Sequence, residues 1–340
     1  FFFFFFFFFF FFFFFFFFFF FFFFFNRQLR DIDVAEQLER LRSLQVQGRW
    51  LEWTAQMHLD LSWHRLIHNW SDCELRFALQ GMTDTAPSNV NLRRWGNPTV
   101  DAACSLCGRT ATLRHVLNAC AVALHQGRYT WRHDSVLAVL RRRLVNFCAS
   151  PSTRKTAESV MASASCPFIR FRRAGSRIAG PQPQRQQRTL STSNLLLHAI
   201  DWEFLFDLGS EKLCFPVDIC ATTQRPDAVI FSRAKRIVIL LELTVPLEDR
   251  TTIAHERKAN RYAALASTCE GNGWRCYTFA IEVGCLGFVS LSLLQCLEQL
   301  GLPRSLSRRI RNECSRVALR CSYLLFLRRD ISQWSAMDLF

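Results

Sequence analysis

Residues 225–245 of this 340-residue chain read RPDAVIFSRAKRIVILLELTV and contain two apolar runs, AVIF and IVILLELTV, separated by SRAKR. Short runs rich in Val and Ile are typical of β-strands, and a short polar break between two of them predicts a hairpin. Pro226 fits the start of the first strand, where its missing N–H costs no ladder hydrogen bond. The stretch therefore predicts two adjacent, hairpin-connected strands.

The sequence on both sides of this hairpin alternates between strand and helix patterns. Upstream, LLLHAIDWEFLFDL predicts a helix or a helix followed by a strand. Downstream, DRTTIAHERKANRYAALASTC predicts a helix, with Asp249 or Thr251 as a possible cap, that ends at the GNG of residues 271–273. WRCYTFAIEV then alternates as a strand, and two more helices are predicted near SLSLLQCLEQL and SLSRRIRNECSRVALRCSYLL. Residues 194–330 are therefore expected to form an α/β domain.

Two acids are placed to meet at one end of the hairpin. Asp227 opens the first strand, and Glu242 lies inside the second. An acid within an apolar strand is costly to bury unless it is paired or binds a metal, whereas an acid at an exposed strand edge needs no partner. Carboxylate oxygens suit Mg²⁺, which can bridge a phosphate and activate a water. Asp227 and Glu242 are therefore candidate magnesium ligands and catalytic residues.

The predicted helix after the hairpin offers a cation. His255, Lys258 and Tyr262 recur at helical spacing, so they share one face. Lys258 is a candidate catalytic residue that would hold the attacking water or stabilise the charge developing on a phosphate. The alternative is an exposed Lys on an amphipathic helix. Glu203 is a candidate third acid.

A Cys/His cluster lies well upstream of the hairpin. Cys104, Cys107, His115 and Cys120 follow the pattern Cys-x2-Cys-x7-His-x4-Cys. Two thiolates two residues apart can bind one Zn²⁺ from a tight turn, and the later His and Cys can complete a tetrahedron. Four protein ligands leave no open position, so the site would be structural. Chance spacing in a Cys-rich chain is the alternative, and two other histidines are spare candidates for the third ligand: His125 and His133.

A basic segment separates the Cys/His cluster from the α/β domain. Residues 101–145 are expected to hold the cluster and a following helix with an Arg-rich end. Residues 146–193 are rich in Ser, Gln and basic side chains and hold several prolines, so a flexible linker is expected. It would be either a solvated tether or an arm that contacts a phosphate backbone. The candidate nucleic-acid contacts in and before it are Arg141, Arg142, Arg143, Arg170, Arg172 and Arg173.

The N-terminal third consists of two unlike parts. Residues 1–25 are all Phe, which fits translated low-complexity sequence better than a membrane anchor, because natural spans mix several apolar residues. Residues 26–100 are expected to be helical and begin with an amphipathic helix. Their tryptophans favour core packing, with stacking on a single nucleic-acid strand as the alternative.

Composition sets broad limits on function. The net charge is +14, which favours a polyanionic partner such as nucleic acid, although an anionic membrane surface also fits. Without the Phe residues at 1–25, the other 315 residues have an ordinary globular composition, which excludes a disordered chain and a multi-pass membrane protein. The 14 Cys are spread along the chain, unlike those of a small secreted scaffold, so a reducing, intracellular setting is expected.

The order of these motifs resembles the C-terminal part of a non-LTR (LINE-type) retrotransposon polyprotein. In that family a CCHC knuckle and a restriction-like endonuclease follow the reverse transcriptase. The stretches GRYTWRHD, LELTVPLEDR, HERKANRY and GCLGF are similar to the family's versions, and the resemblance covers residues 45–288.

The resemblance implies a PD-(D/E)xK restriction-like fold that nicks target DNA so that reverse transcription can start there. It implies that Asp227 and Glu242 bind Mg²⁺ and that Lys258 is the family's lysine displaced onto the helix, since Thr244 stands two residues after Glu242. DNA, and element RNA, would be the partners and the nucleus the location. The alternatives are a catalytically inactive nucleic-acid-binding relic and a membrane-tethered protein. No reverse-transcriptase signature is present in these 340 residues.

Overall fold

The protein is mixed α/β, with a four-stranded mixed sheet and eleven helices in the part of the chain that the computed structural model describes. The described residues are 2–44, 47–53, 57–58, 70–165, 193–209 and 212–335. Within them, side chains are described except at 2–15, 17, 58 and 163–165. The α/β class expected from the sequence is therefore confirmed.

The N-terminal third is mainly helical, as expected. Its elements are α1 (Phe2–Ser43), α2 (Trp50–Trp53), the short strand β1 (Met57–His58), α3 (Asp72–Met82) and α4 (Asn89–Arg94). Ser71 caps α3 by accepting from the Glu74 N–H, while the Glu74 carboxylate accepts from the Ser71 N–H, which satisfies two free donors of the first turn. The amphipathic helix predicted near the N-terminus is the last part of α1.

The middle of the chain is more helical than its composition suggests. A π-helical turn (His115–Ala119) precedes α5 (Ala121–His125), α6 (Arg128–Ala149) and α7 (Pro151–Ser165). The prediction of a flexible linker from residue 146 is therefore wrong as far as Ser165. Pro151 suits the first turn of a helix, and α7 buries Thr153 and Ala157 and packs against the 3₁₀ turn Leu195–Leu197, so tertiary contacts outweigh the polar composition. Residues 166–192 lie outside the described residues.

The central sheet contains the predicted hairpin. Its strands are β2 (Glu203–Phe206), β3 (Ala228–Ser232), β4 (Ile237–Thr244) and β5 (Arg275–Glu282), in the order β2-β3-β4-β5. The β2–β3 and β3–β4 pairs are antiparallel, and β4–β5 is parallel. A parallel pair needs a long crossover, which here holds α8 (Thr251–Ala259) and α9 (Ala263–Gly271). The single helix predicted there is thus two helices, with a break before Ala263.

Both faces of the sheet are covered, which explains why β3 and β4 are nearly continuous apolar runs. A short strand β6 (Val289–Ser290) and the helices α10 (Leu291–Gln299) and α11 (Arg304–Leu327) follow β5. On one face, α6, α10 and α11 pack against alternate strand residues such as Ile230 and Ile239. On the other face, Val229 and Leu240 pack with Tyr262 and residues of α9.

The tryptophan-rich N-terminal segment shares a core with the end of the chain. Trp53 packs edge-on against Phe288, with ring centroids 5.7 Å apart. Phe77 of α3 packs against Phe326 of α11. Trp50 and Trp70 join the same cluster, so core packing holds for these tryptophans, whereas Trp95 is exposed and Trp63 lies outside the described residues.

Among the helices searched in the described residues, none combines the length and the apolarity that a bilayer-spanning segment needs. The exposed phenylalanines of α1 that are described begin at Phe16.

Candidate functional site

The four predicted zinc ligands lie together. Their ligand atoms are all within 4.8 Å of one another, so the Cys104, Cys107, His115 and Cys120 set could bind a metal ion such as zinc. It is the one such His/Cys/Asp/Glu group found among the described residues. The Cys107 Sγ lies 3.2 Å from the His115 Nε2, and the Cys104 Sγ lies 4.0 Å from the Cys120 Sγ.

Local backbone structure forms this cluster. The Gly108 N–H donates to the Cys104 carbonyl at 2.8 Å, and Gly108 has φ +72°, a conformation that suits glycine in a tight turn. His115 begins the π-helical turn, and Cys120 immediately precedes α5. Burial and the nearby Arg109 charge lower the pKa of His115, which favours the neutral imidazole that a metal requires.

A tyrosine from α6 supports the cluster from outside. The Tyr129 hydroxyl accepts from the Cys120 N–H at 3.1 Å and donates to the Val116 carbonyl at 3.0 Å. Burial raises the pKa of Tyr129 to about 12, so it stays a neutral donor. The spare ligand candidates are not used, because His125 is exposed at the end of α5 and His133 contacts Asp227 instead.

A third acid lies beside the two predicted ones, at the end of the sheet where β2 ends and β3 begins. Phe206 pairs with Ala228, and Ala228 pairs with Leu241, so the next register position holds Asp207, Asp227 and Glu242. The Asp207 N–H donates to the Asp227 carbonyl at 2.9 Å, which extends the pairing to this position. Because side chains alternate between faces, all three acids share the face on which Val229 and Leu240 pack. We call these three residues the acid row.

Asp227 is held by contacts on both sides. Its Oδ2 accepts from the Leu243 N–H at 2.7 Å and lies 3.2 Å from the His133 Nε2. His133 also contacts Asp134, whose other oxygen accepts from the Gly209 N–H at 3.3 Å. Burial alone lowers the pKa of His133, but the hydrogen bonds to Asp134 and Asp227 outweigh it and raise that pKa to about 10. Helix α6 therefore fixes the position of the first acid.

Glu242 is buried and faces two cations. Its Oε1 accepts from the Lys258 Nζ and, at 3.1 Å, from the Arg261 guanidinium. Its Oε2 is buried and has no hydrogen-bond partner in the described structure. A buried carboxylate oxygen without a partner is costly. A cation or a water bound at this atom would therefore lower the free energy of the site. Lys258 thus contacts Glu242, one acid of the predicted pair.

A cavity of about 470 Å³ opens beside these groups. The acid row, Lys258, Arg261 and Tyr262 line it, together with residues of the loop before β3. The Tyr262 hydroxyl donates to the Arg225 carbonyl at 2.9 Å and closes one side. The cavity thus combines three carboxylates with three basic residues, Arg225, Lys258 and Arg261, and we call it the acid cavity.

Two residues singled out in the sequence lie elsewhere. The His255 Nδ1 lies 3.0 Å from the buried carboxylate of Glu282. Of the three residues predicted to share one helix face, only Lys258 and Tyr262 therefore line the acid cavity. Glu203 is at the opposite end of β2 from Asp207 and pairs with the exposed Arg233, so its assignment as the third acid is wrong.

Sequence reasoning missed Asp207, Arg261 and the contact of His133 with Asp227. Asp207 directly follows the EFLF strand, at the position in its strand that corresponds to Asp227 beside β3. The pairing of β2 with the hairpin identifies Asp207, but the sequence alone does not give that pairing.

The basic residues proposed to contact nucleic acid divide into two groups. Arg142 and Arg143 lie on α6 and pair with Glu313 of α11, and Arg141 is exposed on the same helix. These two side chains therefore form ion pairs between α6 and α11, and they lie in a helix rather than in a linker. The other three, Arg170, Arg172 and Arg173, lie outside the described residues.

Comparison with known proteins assigns no family to this chain. Neither a scan against protein-family models nor a search of curated proteins gives a match.

Proposed function

We propose that this chain is a metal-dependent DNA endonuclease of the restriction-like kind that its motif order resembles, with an attached zinc module, residues 101–145, that holds the Cys/His cluster and the helix after it. The observation that carries the proposal is the acid row: three carboxylates in one register position of three adjacent strands, facing Lys258 and Arg261 in one cavity. The partners proposed are DNA and element RNA, with a nuclear location.

The residues of the acid cavity suit a hard divalent cation. Carboxylates at the ends of adjacent strands are typical Mg²⁺ ligands, and the Glu242 Oε2 is a buried acceptor with no partner in the described structure. Asp207, Asp227 and Glu242 would hold the ion. When bound, Mg²⁺ would polarise a phosphodiester and lower the pKa of a water molecule.

The cationic side chains have a separate task. The Lys258 ammonium now neutralises Glu242, and it can turn to a phosphate oxygen or to the attacking water without leaving the cavity. The Arg261 guanidinium, half-exposed at the rim, can donate to a second phosphate oxygen. Both would stabilise the extra negative charge of the transition state. Thr244 stands where the family's lysine is most often found, and Lys258 would supply the ammonium group in its place.

The zinc module is joined firmly to this domain. Arg114 pairs with Asp249, which follows β4. The buried Arg132 donates to the Val245 carbonyl at 3.1 Å and to the Asn118 side chain at 2.5 Å. A structural zinc ion would therefore fix a surface that lies directly beside the end of β4.

The test is nicking of supercoiled plasmid with and without Mg²⁺. We expect Asp227→Ala to abolish Mg²⁺-dependent nicking while retention of DNA stays unchanged, and Asp227→Asn to do the same with less disturbance of the Leu243 contact. Glu256→Ala, which removes an exposed acid of α8, is the control and should nick normally. Equal loss of nicking and DNA retention, or undiminished nicking, contradicts the assigned role.

A nucleic-acid-binding relic without catalysis is the second candidate. It shares the zinc module, the positive charge and the acid row with the first candidate, and it differs only in lacking catalysis. Strong DNA binding by the unmodified chain with no nicking under any divalent ion would favour the relic.

A further inference from the structure

A second cavity, of about 580 Å³, lies between the zinc module and the α/β domain. One wall is a face of α8, the other comes from residues 114–132, and Val245, Pro246 and Leu247 form part of the floor. We call it the α8 groove.

The α8 groove is positively charged. Ile253, Arg257 and Lys258 of α8 line it at helical spacing, and so does Arg250, the residue directly before the helix. Arg114 and Arg132 face them from the zinc module, and none of the described residues lining the groove is an acid.

Two of these arginines are available to a ligand. Arg250 and Arg257 are exposed, and neither has an ion pair within the described part of the chain. Burial, and then the like charges of Arg250 and Arg49, lower the pKa of Arg114, which shows how closely positive charges gather here. Arg250 is the N-cap residue of α8 and Arg257 lies in its last turn, so the two are about 10 Å apart along the helix axis at a rise of about 1.5 Å per residue. The groove thus offers positive charge along its length.

The groove leads to the acid cavity. Lys258 lines both cavities and hydrogen-bonds Glu242. His133 lines the groove and contacts Asp227. A chain molecule lying along α8 would therefore meet the acid row at the end of the groove.

We propose that the α8 groove binds one single strand of DNA, with Arg250 and Arg257 on its phosphates, and directs that strand to the acid cavity. This inference rests on the proposed function and names the form of its substrate. The apolar groups argue for a single strand rather than an acidic peptide: Ile253 is 56% exposed, and the floor of Val245, Pro246 and Leu247 gives base and sugar faces an apolar surface. Unpaired bases offer such faces, and cationic grooves that track the backbone are typical of single-strand binding.

The experiment measures binding of a fluorescein-labelled 15-nucleotide DNA strand to the full chain by anisotropy, over a range of salt, without added Mg²⁺. Arg250→Ala with Arg257→Ala should weaken binding on the order of tenfold and flatten the log–log salt slope by about 1.4, as expected for two lost phosphate contacts. The control, Arg308→Ala with Arg309→Ala, removes the same charge from exposed positions of α11 outside the groove and should change affinity by less than about twofold.

The outcomes separate this inference from the nuclease assignment. Loss confined to the groove variant supports the single-strand site, whether or not the protein nicks. Equal losses in the two double variants, or no loss in either, overturn it. Displacement of the DNA strand by polyglutamate at an equal concentration of charge also overturns the inference, because the groove would then be a site for acidic polymers. Nicking that fails while groove binding persists counts against the nuclease alone.

Discussion

The zinc cluster and the acid cavity are both sets of metal-binding residue types, but the chain assembles them in different ways. All four zinc ligands lie between Cys104 and Cys120, and one turn with one short helical segment brings them together. The acid row and its cations span residues 207–261 and meet only because three strands pair in one register. A locally encoded site is robust to errors in the wider fold, whereas a site built on register is not.

The two sites also differ in what holds their charged and metal-binding groups in the folded protein. In the zinc cluster the ligand atoms already lie close together, so a bound ion would contribute to folding directly. In the acid cavity two cationic side chains, those of Lys258 and Arg261, hydrogen-bond the buried Glu242 carboxylate. The first site is thus expected to govern stability and the second to govern chemistry.

The largest effect expected is loss of zinc. Cys104→Ser with Cys107→Ser removes two of four ligands, and structural zinc sites are worth about 10–16 kcal/mol of apparent binding free energy. Elemental analysis of the purified variant should find far less than one zinc per chain. Cys73→Ser with Cys214→Ser, at two exposed cysteines, is the control and should keep stoichiometric zinc. Zinc retained by the first variant would show that the ligand set is wrong.

The next effect comes from the buried charge pair. Glu242→Gln leaves the largely buried Lys258 ammonium without its carboxylate, and breaking a buried pair costs about 3–5 kcal/mol. Chemical denaturation should show this loss, and nicking should disappear. Adding Lys258→Met should restore most of the stability and none of the nicking. Recovery of nicking in the double variant would mean that neither residue takes part in catalysis.

The free energy of unfolding is expected to change by about 3 kcal/mol with pH through Glu248, a buried acid of the 3₁₀ turn Glu248–Arg250 that follows β4. Burial raises the pKa of Glu248 to about 7, even though it accepts hydrogen bonds from the Leu286 and Phe288 N–H groups. Its ordinary pKa is lower, so the folded state binds the extra proton between about pH 4.5 and 7. The contribution of Glu248 should therefore make unfolding easier as pH rises through that window, and then level off.

Urea denaturation at several pH values checks this. Glu248→Gln keeps an acceptor for the two N–H groups and should flatten the dependence between about pH 4.5 and 7. If the variant and the unmodified chain keep the same slope, another group is responsible.

The smallest effect separates the two candidate third acids. Asp207→Asn keeps the hydrogen bond to the Leu213 N–H but loses its charge in the acid cavity, so nicking should fall by about tenfold and need more Mg²⁺. Glu203→Gln, at the other end of the same strand, should nick like the unmodified chain. The reverse ranking in a Mg²⁺ titration would restore Glu203 and remove Asp207 from the site.

The sequence predicted the parts of the molecule that depend on neighbouring residues. The hairpin, the strand near Tyr277, the last two helices and the Cys/His cluster all follow from local periodicity and spacing. Asp227 and Glu242 were found because one hairpin joins them, and Lys258 because the next helix carries it.

The errors arose where distant segments decide the structure. Residues 151–165 have a polar, basic composition, but contacts with Leu195–Leu197 help to hold them as α7. The pairing of Arg142 and Arg143 with Glu313, which is 170 residues away from the nearer of them, also went unpredicted, and their contact with nucleic acid stays a prediction. Composition cannot show such pairings, because it contains no information on which helix will lie opposite.

The sequence by itself predicted the α/β class, the Cys/His set that could bind a metal such as zinc, and two acids of the candidate active site, because hydrophobic period and ligand spacing are properties of short segments. Only the tertiary structure decided that Asp207 completes the acid row, that His133 contacts Asp227 and lies outside the Cys/His cluster, and that Arg250 and Arg257 line one groove with residues of the zinc module. These facts depend on strand register and helix packing, which are fixed by burying apolar faces contributed from the whole chain.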